Sequence, residues 1–144
     1  MIAIATKEDL PRIVELVKLG VEEIKCPYET SMATLADSIY RSYMVAPQFI
    51  VKVKGEIVGV ASLTLSTYPW SQKPYLTSNM VYVLQNHRSY SIIKELYNAI
   101  KNYARLQGVL YVDNFIGTNN IDARLRGVKS QGLEITGISI KYEV

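Results

Sequence analysis

The chain has 144 residues, of which 49% are hydrophobic and 20% charged, with a formal net charge of +3. That is enough for one domain with a single substantial core, and no Pro- or Ser-rich linker, repeat or low-complexity block divides it. One cysteine and one histidine exclude an intramolecular disulfide and a zinc cluster; the apolar runs are strand-length and the N-terminus lacks the basic-then-apolar order of a signal peptide, so no membrane span and a cytoplasmic location are expected.

Ile2 to Ala5 reads as a short strand. Thr6 can then cap a helix with Asp9 in its first turn, where Pro11 is tolerated because the first amides of a helix have no bond to lose. Leu10, Ile13, Val14, Leu16, Val17, Val21 and Ile24 recur at helical spacing against Glu15, Lys18, Glu22 and Glu23, so this helix turns one face to a core. Cys26-Pro27-Tyr28 breaks it, with Cys26 read as a loop thiol. A second helix is predicted from about Ser31 to Tyr43, with Met32, Leu35, Ile39 and Tyr43 on its buried face. Phe49 to Val53 and Glu56 to Leu65 are β-branched and partly alternating, and Lys54-Gly55 between them reads as a hairpin turn. Tyr68 to Pro74, with its prolines and Trp70, is a loop, and Tyr75 to Leu84 is the next strand.

A long helix follows from Ser91, with Ile93, Leu96, Tyr97, Ile100 and Ala104 on its apolar face and Gly108 placed to stop it in a left-handed conformation. Val109 to Phe115 is a further strand, parallel to the one before the helix because strand–helix–strand units of this length are crossovers. Gly117 to Asn120 reads as a turn, Ile121 to Gln131 as a polar helix, Gly132 as its stop, and Leu133 to Val144 as a last strand kinked at Gly137.

The stretch with most chemistry is Val83 to Ser91, Val-Leu-Gln-Asn-His-Arg-Ser-Tyr-Ser, a polar turn between strand and helix. The first amides of a helix point outward unpaired and the aligned peptide dipoles place partial positive charge there, so such a turn attracts anions. Arg88 adds a full charge, and Ser89 and Ser91 allow close backbone approach and can cap the helix or bond a phosphate oxygen. The same residues also suit an ordinary serine-capped connection. The turn resembles the pyrophosphate loop of the GNAT superfamily of N-acetyltransferases, Val-x-Pro-x-x-Arg-Gly-x-Gly: Val83 and Arg88 match, Gln85 stands where proline is usual, and Ser89 and Ser91 where glycines are usual. The element order β-α-α-β-β-β-α-β-α-β resembles that family over residues 1–144, and Asn120 and Ala123 followed by Gly132-Leu133 resemble its Asn-x-x-Ala helix ending in Gly-Phe.

The resemblance implies a single mixed α/β domain in which the parallel strands Leu76 to Leu84 and Val109 to Phe115 splay and admit acetyl-coenzyme A. Its pantetheine arm would pair with the backbone of Val81, Tyr82 and Val83, and its pyrophosphate would sit on the amides of Arg88, Ser89, Tyr90, Ser91 and Ile92; Asn114 and Asn120 complete the cofactor-binding set. Implied too is direct acetyl transfer to an amine, with an amide near Val83 steadying the oxyanion, a base taking the amine proton and an acid protonating the thiolate. The glutamate that family members often carry on the fourth strand is missing, since no Asp or Glu lies between Glu56 and Glu95, and the usual tyrosine is missing from Asn120 to Gln131, where Gly127 and Val128 stand near its place. Asp113 is the nearest candidate base, able to relay a proton through water or merely to satisfy loop amides. Tyr82 is the second catalytic candidate and Tyr111 an alternative; both also suit half-buried strand packing. Lys101, Arg105, Arg124, Arg126 and Lys129 can meet the 3′-phosphate or solvate helix faces.

The family takes its acceptor, a small-molecule or protein amine, between the first two helices and the loop after the third strand, here Tyr28, Glu29, Tyr68, Trp70 and Tyr75. These aromatics with one carboxylate suit a cationic amine, and also suit closing a core or forming a homodimer contact. The missing acid and base motivate a rival reading, a non-catalytic module that keeps the fold and engages coenzyme A or a protein. Modest positive charge and many tyrosines point only weakly to nucleic acid, because no basic run is interleaved with aromatics.

Overall fold

The computed structural model describes residues 1–24, 28–114, 126, 129 and 130. Among these, the strands β1 (Ile2–Ile4), β2 (Phe49–Val53), β3 (Glu56–Thr67), β4 (Pro74–Val83) and β5 (Val112–Asn114) form one sheet in the order β1-β2-β3-β4-β5. Each neighbour is antiparallel except β5, which runs parallel to β4 with Leu76 opposite Val112, Thr77 opposite Asp113 and Ser78 opposite Asn114. The crossover between them is α3 (Tyr90–Leu106), as the connection length requires. Helices α1 (Leu10–Glu23) and α2 (Met32–Val45) complete the described elements, and none of the described helices is long and apolar enough to cross a membrane.

The sheet divides two apolar clusters. Leu96, Tyr97, Ile100 and Ala104 of α3 pack on one face with Val58, Leu63, Leu76 and Val83. On the other face Leu10, Ile13, Leu16 and Val17 of α1 and Ile39 of α2 pack with Ile50 and Val60. Both helical stripes were legible as periodicity; α2 was read less well. Met32 is 43% exposed rather than buried, Leu35 and Tyr43 are half-buried, and α2 closes instead on Ile39 and the small Ser42. Met32 is the first residue of α2, at the end of its apolar stripe.

Local chemistry sets the ends. The Thr6 amide donates to Asp9 Oδ2 at 2.9 Å, and a 3-10 turn at Lys7–Asp9 leads into α1, with Pro11 at its start. Lys54 and Gly55 both have positive φ, 51° and 87°, as a two-residue type I′ hairpin needs. Gly108 (φ 66°) ends α3 in a Schellman motif, with Val109 N–H bonded to the Ala104 carbonyl and Gly108 N–H to that of Arg105. β5 is shorter than expected, beginning at Val112 rather than Val109, because residues 109–111 serve to leave the helix.

One irregularity was not anticipated. In the β3–β4 ladder Ser62 faces Met80 but Leu63 faces Ser78, so Asn79 is an extra residue, a β-bulge. Before it, Leu76 points toward α3; after it, Val81 and Val83 point that way while Met80 and Tyr82 turn to α1. Without the bulge these faces would be exchanged.

Candidate active site

The bulge lies one residue beyond the last described rung between β4 and β5. Their described pairing stops at Ser78 and Asn114, and from Asn79 onward β4 has no partner strand on that side among the described residues. Leu84 N–H bonds the Val58 carbonyl at 2.9 Å, which sets the phase of the ladder. Leu84 and Tyr82 direct their main-chain groups to β3, so Val81 and Val83 direct theirs into the cleft. At its head Ser78 Oγ and Asn114 Oδ1 are buried without a hydrogen-bond partner among the described residues. Such groups cost about 1–3 kcal/mol each when left unpaired.

Below the cleft the chain makes a 3-10 turn at Gln85–His87 and enters α3. Ser89 (φ −144°) is the N-cap, its Oγ accepting from Ile92 N–H at 3.2 Å. Of the five amides expected to hold a pyrophosphate, two are already engaged: Ile92 by this cap, and Arg88 by the Gln85 carbonyl at 3.3 Å. Those of Ser89, Tyr90 and Ser91 make no hydrogen bond with described residues and open at the positive end of the helix dipole. Ser91 Oγ donates to Glu95 at 3.4 Å, so its hydroxyl is turned along the helix.

The Arg88 side chain does not lie in the turn. Its guanidinium forks the Glu23 carboxylate at 2.8 and 2.5 Å, its Nε donates to the Val83 carbonyl at 2.7 Å, and its plane stands 5.3 Å from the Tyr82 ring centroid. The Glu23 fork raises its already high pKa, so the charge is permanent and spent on α1. Arg88 therefore ties the C-terminal end of α1 to the end of β4 and takes one of the cleft-facing carbonyls. Tyr82 is its support: the ring packs beneath the guanidinium and close to Gly20 of α1, where an added Cβ would lie 3.1 Å from it. This fork spans 65 residues and no local pattern announces it.

At the other end of β4 the aromatics gather. Trp70, Tyr68 and Tyr75 form a column, with Tyr68 5.1 Å from Trp70 at an interplanar angle of 10° and 4.3 Å from Tyr75 at 17°. The Tyr68 hydroxyl donates a long 3.4 Å bond to Asp113 Oδ2. Partial burial, and after it the Asp113 carboxylate, raises the phenol pKa. Thr77 and Asp113 share a rung on the face away from α3, one residue before the last described rung. Tyr28 and Glu29 are exposed and make no hydrogen bond, ion pair or ring contact with described residues. Asn120, Ala123, Arg124, Cys26 and the strand expected at Leu133 to Val144 lie outside the described residues, as does the helix expected at Ile121 to Gln131 except for Arg126, Lys129 and Ser130, which are helical.

A family model described as an acetyltransferase (GNAT) domain matches residues 2–142. The chain belongs to the GNAT acetyltransferase family. A comparison with curated proteins gives no match. Among solved structures, an aminoglycoside antibiotic 6'-N-acetyltransferase from Acinetobacter haemolyticus is similar with a TM-score of 0.73 and 15% identity, covering 100% of this chain and 97% of that one. A ribosomal-protein-alanine N-acetyltransferase from Brucella melitensis biovar Abortus 2308 is similar at 0.73 and 17%, covering 100% and 98%. AAC(6')-Iy, solved with the bisubstrate analog CoA-S-monomethyl-acetylneamine, is similar at 0.74 and 19%, covering 100% and 97%. At these identities the likeness is one of fold, and it extends over the whole GNAT domain.

Proposed function

We propose that this GNAT protein transfers the acetyl group of acetyl-coenzyme A to an amine. The observation that carries the reading is the main chain of Val81 and Val83 on the side away from β3, which has no partner strand among the described residues, only its Val83 carbonyl being taken by Arg88, and which leads directly into a helix start whose Ser89, Tyr90 and Ser91 amides are open among those residues. That combination suits an extended amide-bearing arm followed by phosphates. Ser78 Oγ and Asn114 Oδ1, buried without a partner among the described residues, add polar groups beside it.

When bound, acetyl-coenzyme A supplies an activated thioester. One of the Val81 and Val83 N–H groups, about 7 Å apart on the same edge of β4, would donate to the thioester oxygen as it gains negative charge and the other to the arm, and being main-chain they need no particular side chain. Asp113, steadied by the Tyr68 hydroxyl, would accept the amine proton through water as the C–N bond forms and the C–S bond breaks, and the coenzyme A thiolate would leave and take a proton from solvent. A non-catalytic binding module is the second reading, favoured by the absence of any Asp or Glu in β4.

Thermal shift and calorimetry with coenzyme A test the cofactor: a raised melting temperature is expected, and a flat response at millimolar ligand removes it. Thiol release from acetyl-coenzyme A over a panel of amines then separates the two readings, since binding without release leaves only the module.

A further inference from the structure

We infer that the cavity between the C-terminal half of α3 and the chain entering β5 holds a small apolar carboxylic acid, an aromatic or branched alkyl body ending in one carboxylate. This is a second ligand site, on the α3 face of the sheet, and it does not depend on the proposed transferase.

The cavity has a volume of about 230 Å³, and its apolar wall is Ile100 and Ala104 of α3 with Val109, Leu110 and Val112 opposite. α3 ends at Leu106 and β5 begins at Val112, so Val109 and Leu110 line the space as connecting chain rather than as strand. An apolar cavity of about 150 Å³ is enough to hold benzene, so this one has room for a ring with a short arm. Leu110 is 75% exposed at the rim, and a ligand body that covers it removes apolar surface from water. From Ser91 to Arg105 the helix rises about 21 Å, which sets this site apart from the open amides at the start of α3.

Charge selects what the body carries. Arg105 lines the cavity, is exposed, and its side chain makes no hydrogen bond, ion pair or ring contact with described residues. Lys101, one turn earlier on the same side of α3, adds a second positive charge. No Asp or Glu lines the cavity among the described residues, and Asp113, though next to Val112, alternates to the face away from α3. The C-terminal end of a helix opposes an anion with about half a negative charge. Here the carbonyls of Tyr103, Ala104 and Arg105 are taken by the amides of Gln107, Val109 and Gly108, and two full positive charges outweigh what remains. A cation is therefore repelled, and a neutral apolar molecule leaves the guanidinium unused. A carboxylate uses both, its two oxygens matching the planar fork of Arg105 while its body lies on Ile100 and Val109.

The full chain is titrated by calorimetry with phenylacetate and with its neutral counterpart phenylacetamide, in the presence and absence of millimolar coenzyme A, while backbone amide resonances are followed by NMR. Phenylacetate is expected to bind about tenfold more tightly than phenylacetamide, as one charge-assisted bond predicts, to shift the amides of Ala104, Val109 and Leu110, and to bind equally well when coenzyme A is present. Arg105→Gln should bring the two ligands to equal affinity and Arg105→Lys should restore part of the preference. Ala104→Leu, checked by circular dichroism, should weaken both ligands by filling the cavity. The absence of heat at millimolar phenylacetate, equal affinity for the two ligands in the unaltered chain, an undiminished preference in Arg105→Gln, or displacement of phenylacetate by coenzyme A each overturns the inference. None of these outcomes involves acetyl transfer, so failure here leaves the transferase reading as it stands.

Discussion

At its C-terminal end β4 meets a turn in which the charged side chain is fully engaged and the groups left open are main-chain amides; at its N-terminal end the main chain is paired with β3 and β5 and what stands open is a column of rings headed by the exposed Trp70. The contrast explains why one end tolerates unusual residues. Amides aimed by a ladder and a helix start do not depend on side-chain identity, so Gln85, Ser89 and Ser91 can stand where the family has proline and glycines. A surface of rings is nothing but side-chain identity. The end proposed for the cofactor is thus read from topology and the opposite end from residues.

The largest effect should come from disturbing the ladder that aims the cleft. A Cβ at Gly59 would lie 2.9 Å from Val83 Cγ2 and 3.1 Å from the Tyr82 carbonyl oxygen. Gly59→Ala is expected to cost about 1–3 kcal/mol in thermal unfolding and to weaken coenzyme A binding by displacing β4. Unchanged affinity measured by calorimetry would mean the cofactor does not depend on Val81 and Val83.

Next is the Arg88–Glu23 fork. Both side chains are about one-third exposed, so Glu23→Gln should lower stability by only about 1 kcal/mol. Its value lies in the sign on coenzyme A. If Arg88 acts by holding the turn to α1, Glu23→Gln and Arg88→Ala both weaken binding several-fold. Tighter binding in Glu23→Gln would show that Glu23 withholds Arg88 from the phosphates, and the two ends of β4 would then differ less than argued above.

Smallest is the cap. Ser89→Ala removes the bond to Ile92 N–H and should cost about 1 kcal/mol, and Ser89→Gly only a few tenths. Neither should change coenzyme A affinity more than about twofold, because the amides of Ser89, Tyr90 and Ser91 remain. Ser89→Val, whose branched side chain crowds the same approach, should weaken binding without unfolding the domain; if it does not, the phosphates lie elsewhere.

The helices, the hairpin at Lys54-Gly55, the stop at Gly108 and the parallel β4–β5 pair were legible because each follows from periodicity, a special φ or a connection length. The parts that were not legible depend on distant partners. Arg88 carries the same local pattern whether its guanidinium meets phosphate or Glu23, and only the folded position of α1 decides. Met32 continues the apolar stripe of α2 but stands exposed at its first residue. The approach of Tyr68 to Asp113 needs the β4–β5 register, which alternation alone does not specify. The bulge leaves no mark either, since Ser78-Asn79-Met80 reads as ordinary strand.

That bulge separates two kinds of mutational tolerance. Asn79 is exposed, so replacing it should scarcely matter. Deleting it would restore the regular pleat, send Tyr82 into the α3 cluster and Val83 toward α1, and leave Arg88 without its support. A substitution scan would score the position as dispensable, and a deletion scan would score it among the most demanding in the chain; the information it holds is a count of residues rather than a side chain.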